Sequence, residues 1–106
     1  MIIREWRGRA SPDRIDAYPE HFQQSVLPEL RALDGFLGAT LCRSHSGKAI
    51  EYLVLTRRRS LDAIRAFTGP DIGRAVVEPG AVAAPTDFDD LMRHYEVIED
   101  FESEEA

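Results

Sequence analysis

The chain has 106 residues, a formal net charge of −6, 43% hydrophobic and 30% charged residues, and one cysteine. This length and composition are those of a single globular domain with an ordinary hydrophobic core. No apolar run is long enough to cross a bilayer, and the N-terminal stretch carries charges where a signal peptide needs apolar residues. We therefore expect a cytoplasmic protein without membrane contact, in which Cys42 is a buried, unreactive thiol.

The acidic residues are concentrated at the C-terminal end. From Glu96 onward there are six acids and no lysine or arginine, so the first 95 residues carry 13 acids and 13 bases. A body of balanced charge with an acidic end does not attract phosphate backbones, and we expect no nucleic-acid partner. We expect one domain over residues 2–101 and an acidic, disordered tail over residues 102–106.

The N-terminal third predicts a strand followed by a helix. Ile2–Arg9 is apolar enough to form a first strand. Ser11 is followed by a proline and an aspartate, which is typical of a helix start. Apolar residues then recur every three or four positions as far as Leu33, while Pro19 and Pro28 predict kinks or a break.

The middle of the chain predicts two strands and a second helix. Phe36–Arg43 and Ala49–Thr56 are apolar strands joined by the hairpin loop Ser44–Lys48, so they should lie antiparallel. Ile50–Thr56 has almost no polar alternation and should be buried on both faces. The hydroxyl of Ser60 is placed to cap a helix whose apolar stripe ends at Phe67.

The C-terminal third predicts one more strand. Asp71–Val77 has a short helical pattern, Glu78–Pro85 is irregular and Thr86–Asp90 is a polar loop, before a fourth strand at Met92–Ile98. The order strand, helix, strand, strand, helix, strand indicates an α+β, ferredoxin-like fold with a four-stranded antiparallel sheet and two helices on one face. Several strands carry apolar residues at both odd and even positions, which face opposite sides of the sheet. We therefore expect a second copy of the chain to cover the other face, giving a homodimer.

The pattern resembles the antibiotic biosynthesis monooxygenase (ABM) family of dimeric α/β-barrel proteins. The resemblance rests on Leu27–Leu30, Gly35–Ala39, Leu53–Phe67 and His94–Val97. It implies a dimeric barrel and a cofactor-independent monooxygenase that acts on a small aromatic or polyketide-like substrate. The alternative is a non-catalytic dimeric module of the same fold that binds a small apolar ligand, because fold resemblance alone does not establish activity.

The chain departs from the family pattern at three positions. Many members have a tryptophan two residues before the serine that opens the second helix, and here that residue is Arg58. The heme-degrading members use a first-strand asparagine, where this chain has Trp6, and a histidine after the second helix. No histidine lies between His45 and His94. The resemblance therefore implies neither heme degradation by that route nor any other cofactor.

His94 is the best candidate for a catalytic residue, since a neutral imidazole can serve as a general base near neutral pH. Glu96 is two residues further along the predicted strand and projects from the same face, so the two side chains could share a proton. The alternative is a histidine that merely has a hydrogen-bond partner at the dimer interface. His21 and His45 are expected to be solvated, and the three histidines have no neighbours at metal-ligand spacing, so no metal site is predicted.

Four residues are candidates for substrate binding. Trp6, Tyr52 and Phe67 lie on elements that should pack together, and they could line a pocket for a flat ligand or simply fill the core. Arg58 lies in the run Arg57–Arg59 before the second helix, where guanidinium groups and the helix dipole could hold a carboxylate or a phenolate. Pairing of these arginines with the acidic C-terminus of a second copy is the alternative.

Overall fold

One antiparallel sheet, covered on one face by helices, forms the domain in the computed structural model, which describes residues 1–73, 87–89 and 91–104. The strand order is β2-β3-β1, and two short strands, β4 and β5, pair with the remaining edge of β1. Together they hold the fourth place in the sheet, so the predicted four-stranded ferredoxin-like arrangement is confirmed. The strands are β1 (Ile2–Ala10), β2 (Phe36–Ser46), β3 (Ala49–Arg58), β4 (Asp87–Phe88) and β5 (Arg93–Glu96).

The predicted first helix is a chain of shorter helical segments. It comprises a 3-10 turn (Pro12–Arg14), α1 (Ala17–His21), a π-helical turn (Phe22–Val26) and α2 (Leu27–Arg31). Ser11 precedes the 3-10 turn, although its side chain makes no capping hydrogen bond.

The predicted interruptions have a simple cause. Pro19 lies in the first turn of α1, where an N–H would have no helical acceptor in any case, so it is tolerated. Pro28 lies inside the helical run and cannot donate to the preceding turn. Just before it, the N–H of Leu27 donates to the carbonyl of Phe22, five residues back, so the ladder widens to a π turn where the proline approaches.

The second helix, α3 (Leu61–Thr68), is confirmed with its predicted start and end. The hydroxyl oxygen of Ser60 accepts a hydrogen bond from the N–H of Ala63 at 3.1 Å. Gly69 has φ of 83° and its N–H donates to the carbonyl of Arg65 at 2.8 Å, so glycine supplies the left-handed residue that ends the helix. Ile64 is completely buried against the sheet.

The two faces of the sheet differ in burial. On β3, alternate residues from Ile50 to Arg58 are buried, whereas the residues between them are partly exposed. The face that carries Tyr52 packs against the helical segments and is called the helix side, and the face that carries Leu53 is called the open side. Within this single chain β3 is therefore fully buried on the helix side only. The core on that side consists of Ala10, Tyr18, Phe22, Leu30, Ile50, Tyr52 and Val54.

Two predictions about single side chains are wrong. Cys42 is exposed, because it lies on the open side of the edge strand β2. His21 was expected in solvent, but its Nε2 is buried and has no hydrogen-bond partner among the described residues. Its ring centroid is 6.2 Å from that of Tyr18, which lies in the core.

Three boundaries differ from prediction. The hairpin turn is only Gly47 and Lys48, because Ser46 still pairs with Ala49 and Gly47 adopts the positive φ of 59° that such a tight turn needs. The predicted polar loop contributes β4 instead, since Asp87–Phe88 pairs with β1. Of the predicted helical piece after α3, only residues 71–73 are described, and they form a turn. The rest of it and the predicted irregular stretch over 78–85 lie outside the described residues.

Candidate functional site

The sheet places a histidine and two arginines side by side on its helix side. Arg4 on β1 lies opposite Thr56 on β3 and opposite His94 on β5. Arg58 is two residues beyond Thr56 on the same strand, so it projects from the same face. Diagonal neighbours of this kind are about 7–8 Å apart in an antiparallel sheet. Arg4, Arg58 and His94 therefore form one group, called the basic cluster below.

A hydrogen bond joins two members of the basic cluster. Nη1 of Arg4 donates to Nε2 of His94 at 2.8 Å and to the backbone carbonyl of Ile72 at 2.6 Å. Because a guanidinium can only donate, Nε2 is the unprotonated nitrogen and the neutral ring carries its proton on Nδ1. Arg4 is 3% exposed, whereas His94 is partly exposed, so the cluster is reached from solvent at the histidine.

Burial and like charges keep His94 neutral. Its pKa is lowered from 6.5 by burial, then by the charge of Arg4 and that of Arg58. Burial, with a smaller effect of Arg58, lowers the pKa of Arg4 to about 10, and burial lowers the pKa of Arg58. At neutral pH the cluster therefore combines an unprotonated imidazole with two guanidinium charges.

Arg58 lies among aromatic rings and not among acids. It is 2% exposed, and its Cζ is 5.9 Å from the ring centroid of Phe36 and 5.4 Å from that of Phe67. Its Nε donates to Oγ1 of Thr56 at 3.1 Å. Within residues 1–73, 87–89 and 91–104, Arg58 forms no ion pair with a carboxylate. Cation–π contacts stabilise such a charge but do not neutralise it.

Two of the predicted aromatic residues meet through a third that was not predicted. Trp6 stacks on Tyr18 with ring centroids 4.8 Å apart and an interplanar angle of 20°, and Tyr18 is 5.4 Å from Tyr52. Tyr52 is completely buried and its hydroxyl donates to the carbonyl of Ile15, so its described contacts are those of a core residue. Trp6 is partly exposed and lies two residues from Arg4 on the same face.

The remaining predicted residues are dispersed. Glu96 shares the face of His94, as the spacing predicts, but it is exposed and makes no hydrogen bond to His94 in the described part of the chain; the partner of His94 is Arg4. The three consecutive arginines diverge, because Arg57 donates to Thr40 on the open side and Arg59 is an exposed partner of Asp34. Only Arg58 enters the basic cluster.

Arg4 is the functional candidate that the sequence analysis missed. The sequence does indicate this residue. Arg4 is two positions from Trp6 in the strand Ile2–Ala10, so its side chain must lie on the same face as Trp6, toward the core. Such an internal charge needs a partner or a function. The strand was predicted from its apolar residues alone, and Arg4 was not included among the candidates.

The residues of the cluster do not fit a heme iron. Nε2 of His94 is occupied by a guanidinium, and the charge of Arg58 also acts on the ring, so a metal cation would meet two positive charges there. Among the described residues, no group of three or more His, Cys, Asp or Glu side chains is arranged to hold a metal ion.

On the open side, Arg7 is paired with two carboxylates. Arg7 donates to Glu5 at 2.9 Å and to Glu51 at 3.0 Å, and the hydroxyl of Tyr95 donates to Glu5 at 3.2 Å. Glu5 and Arg7 border a polar cavity of about 150 Å³, whose lining also includes Asp89, Leu91 and Arg93. The helix side is the stronger candidate site, because there a neutral histidine lies beside two buried arginines.

Comparison with known families agrees with this architecture. The model of the family described as antibiotic biosynthesis monooxygenase (ABM) matches residues 1–79, which is most of the chain. The chain belongs to the ABM family, as its resemblance predicted. No curated protein matches it.

Several solved structures share the fold. A candidate antibiotic biosynthesis monooxygenase from Bacillus cereus has a TM-score of 0.64 and 13% identity, with 96% of this chain and 97% of that chain covered. A second candidate from Deinococcus radiodurans has a TM-score of 0.63 and 19% identity, with 97% and 98% covered. The heme degrader MhuD from Mycobacterium tuberculosis, solved with two hemes in its active site, has a TM-score of 0.58 and 23% identity, with 96% and 100% covered. These likenesses establish the fold alone.

No helix among the described residues is long and apolar enough to span a membrane. The cytoplasmic location remains a prediction.

Proposed function

We propose that this protein is a cofactor-independent monooxygenase that acts on a small aromatic or polyketide-like substrate bound at the basic cluster. The observation that carries the proposal is the neutral His94, whose Nε2 is held by a buried arginine on the helix side of an ABM fold. A substrate with an acidic hydroxyl fits this arrangement, because the cluster offers both a proton acceptor and a donor for the resulting oxyanion.

The proton transfer uses the two members of the hydrogen bond in sequence. The substrate hydroxyl approaches Nε2 of His94 and displaces Nη1 of Arg4, its O–H bond breaks, and the proton forms a new N–H bond on the imidazole. Nη1 of Arg4 then donates to the oxyanion. Burial and the two neighbouring cations lower the pKa of His94, and an oxyanion that forms beside the cations favours protonation of the imidazole. The oxyanion transfers one electron to molecular oxygen, and the two radicals combine through a new C–O bond to give a ring peroxide. His94 returns its proton to the peroxide, whose O–O bond breaks as the ring carbon loses its C–H proton, so that one oxygen atom stays as a carbonyl and the other leaves as water.

The other predicted residues take supporting roles in this proposal. Phe67 contacts the guanidinium of Arg58, and Trp6 lies beside Arg4, so both are placed to contact an aromatic ring at the cluster. Tyr52 supports Trp6 through Tyr18. Glu96 is assigned to the exposed end of the site, where it could receive the proton from His94 through water.

A homodimer completes the proposal. The open side carries partly exposed apolar residues on β1 and β3, together with Tyr95 and Leu91, which are 44% and 68% exposed. If the open sides of two copies packed against each other, each would cover the other. Each protomer would keep its basic cluster on the outer, helix side of the barrel.

Oxygen uptake tests the proposed activity. The protein is supplied with 1-naphthol or anthrone as aromatic probes, and oxygen consumption is followed with an electrode. The variant His94→Ala should lower the rate by about 100-fold or more, as expected for loss of a general base. The control His45→Ala changes an exposed histidine at the end of β2 and should leave the rate unchanged. Equal rates for the wild type and His94→Ala would contradict the proposal.

A non-catalytic binding module is the second candidate, and one observation favours it. The lone pair of Nε2 is already occupied by Arg4, and no described group other than Arg4 hydrogen-bonds to His94 to position it as a base. For such a module, calorimetry would show that the probes bind, whereas oxygen uptake would stay at the rate of the buffer blank. The two assays on one preparation therefore separate the candidates.

A further inference from the structure

Arg58 is a buried cation whose hydrogen-bonding capacity is only partly used. A guanidinium has five N–H donors, and within the described residues the one acceptor of Arg58 is Oγ1 of Thr56, which binds Nε. The two terminal nitrogens carry the other four N–H groups, and they have no acceptor in the described part of the chain. A charge that is 2% exposed normally has an ionic partner.

The surroundings of Arg58 fix its orientation without satisfying it. Oγ1 of Thr56 accepts a hydrogen bond from Nε, and the guanidinium carbon lies over the rings of Phe36 and Phe67. Held in this way, the terminal nitrogens form a fork that matches the two oxygens of a carboxylate.

The neighbourhood of Arg58 increases its attraction for an anion. Arg4 is its diagonal neighbour in the sheet, and after burial the charge of Arg58 is the second cause that lowers the pKa of Arg4. Phe67 and Phe36 supply apolar surface beside the charge, so the same place offers an ionic contact and a ring contact. An aromatic ring that carries a carboxylate would use both.

We propose that the natural ligand is an aromatic carboxylic acid, and that Arg58 binds its carboxylate while Phe36 and Phe67 contact its ring. This inference rests on the proposed function, since it assumes that an aromatic ligand binds at the basic cluster, and it adds a permanent negative charge to that ligand. The carboxylate is distinct from the hydroxyl that gives its proton to His94.

A pair of matched ligands tests the charge. Calorimetry compares 3-hydroxy-2-naphthoate with 3-hydroxy-2-naphthamide, which has the same ring and hydroxyl but no charge. The wild type should bind the naphthoate about 10- to 100-fold more tightly, the range expected for a charge-assisted hydrogen-bonded pair. This comparison needs no variant, so it does not depend on whether a substituted protein folds.

Substitutions then test whether Arg58 is the arginine that binds the carboxylate of the ligand. Arg58→Met keeps an apolar chain of similar length and should abolish the preference, because it weakens binding of the naphthoate far more than binding of the naphthamide. Arg58→Lys retains the charge without the fork and should keep part of the preference. The matched control Arg59→Met removes the next arginine, which is exposed and pairs with Asp34, and should preserve the full preference. Thermal unfolding followed by circular dichroism checks that each variant is folded.

The outcomes distinguish the two proposals. Equal wild-type affinities for both ligands would overturn the role of Arg58 while the aromatic site stands. The same would follow if Arg58→Met weakened both ligands equally, or if Arg59→Met had the same effect as Arg58→Met. If neither ligand binds, the proposed function fails together with this inference.

Discussion

At the scale of single residues, the basic cluster couples the stability of the fold to pH. His94 has a pKa below the 6.5 of a free imidazole, because burial and the charges of Arg4 and Arg58 oppose its protonation. The unfolded chain therefore binds a proton more readily than the folded chain. The free energy of unfolding contributed by this residue is fully present above pH 6.5 and is lost as the pH falls through the folded-state pKa.

The variant His94→Gln should remove this part of the pH dependence. Glutamine can still accept a hydrogen bond from Arg4 but cannot be protonated, so its stability should fall less on acidification than that of the wild type. Urea unfolding at pH about 7.5 and about 5, on either side of the imidazole range, measures the difference. His45→Gln, which changes an exposed histidine, should keep the wild-type dependence. Parallel curves for the wild type and His94→Gln would show that His94 is not shifted by the cluster.

Gly8 is required by the position of the Trp6 ring. A Cβ added at Gly8 would lie 2.3 Å from one carbon of the indole and 2.9 Å from the next. The indole cannot easily move away, because it stacks on Tyr18. Gly8→Ala should therefore lower the free energy of unfolding by about 1–3 kcal/mol, as overpacking usually does.

Near-ultraviolet circular dichroism should show that Gly8→Ala also disturbs the environment of Trp6. Gly73→Ala is the control, since among the described residues the nearest atom to a Cβ there would be that of Asp71, at an ordinary 3.5 Å. An unchanged stability of Gly8→Ala would mean that the indole does not occupy this place.

At the scale of elements, α3 depends on its N-terminal cap. The hydroxyl of Ser60 accepts the N–H of Ala63, which otherwise has no helical partner. Ser60→Ala should cost about 1 kcal/mol of stability, the usual effect of losing such a cap. Ser44→Ala, at an exposed position on β2, should be close to neutral. Urea midpoints compare the two variants, and equal midpoints would contradict a stabilising cap.

The elements that the sequence predicts well are those with local signals. The cap of Ser60 and the glycine at 69 fix both ends of α3, and the turn at Gly47 fixes a hairpin, because these residues act through their own backbone and hydrogen bonds. The pairing of Asp87–Phe88 with β1 depends on residues almost 80 positions away. Its polar sequence resembles a loop, and no local pattern reveals the pairing.

The candidate site was predicted only in part, because its residues come together through long-range strand pairing. His94 and Arg58 were recognised from their own chemistry, but their partners come from other strands: Arg4 reaches His94 across 90 residues. Alternation along a strand shows which residues lie on the same face of the sheet, but it does not show which face the helices cover. The burial of Arg58 and the exposure of Cys42 both follow from that choice of side, which packing of the helices decides.

At the scale of the whole molecule, the two faces of the sheet have different electrostatic characters. On the helix side, the buried Arg4 and Arg58 lie beside the neutral His94. On the open side, Arg7 is paired with Glu5 and Glu51. Burying a paired charge under an identical face costs less than burying an uncompensated one. The helix side is already covered by the chain's own helical segments, which favours the open side as the dimer interface and leaves the basic cluster for a ligand.

Leu53 tests the dimer. It lies on the open side of β3, between Arg7 on β1 and Cys42 on β2, so it occupies the interior of the sheet face that a second copy would cover. Leu53→Arg would place an additional cation opposite its own copy in an isologous interface, where desolvation and repulsion both oppose association. Native mass spectrometry should show a dimer for the wild type and a monomer for Leu53→Arg.

Leu61→Arg is the matched control, because Leu61 is 36% exposed on α3, on the opposite side of the sheet. It introduces the same charge on the helix side and should leave the dimer intact. A wild-type monomer would mean that the open side remains uncovered, and the barrel would be wrong. Dissociation by Leu61→Arg but not by Leu53→Arg would instead place the interface on the helices, where a partner would compete with the ligand for access to the basic cluster.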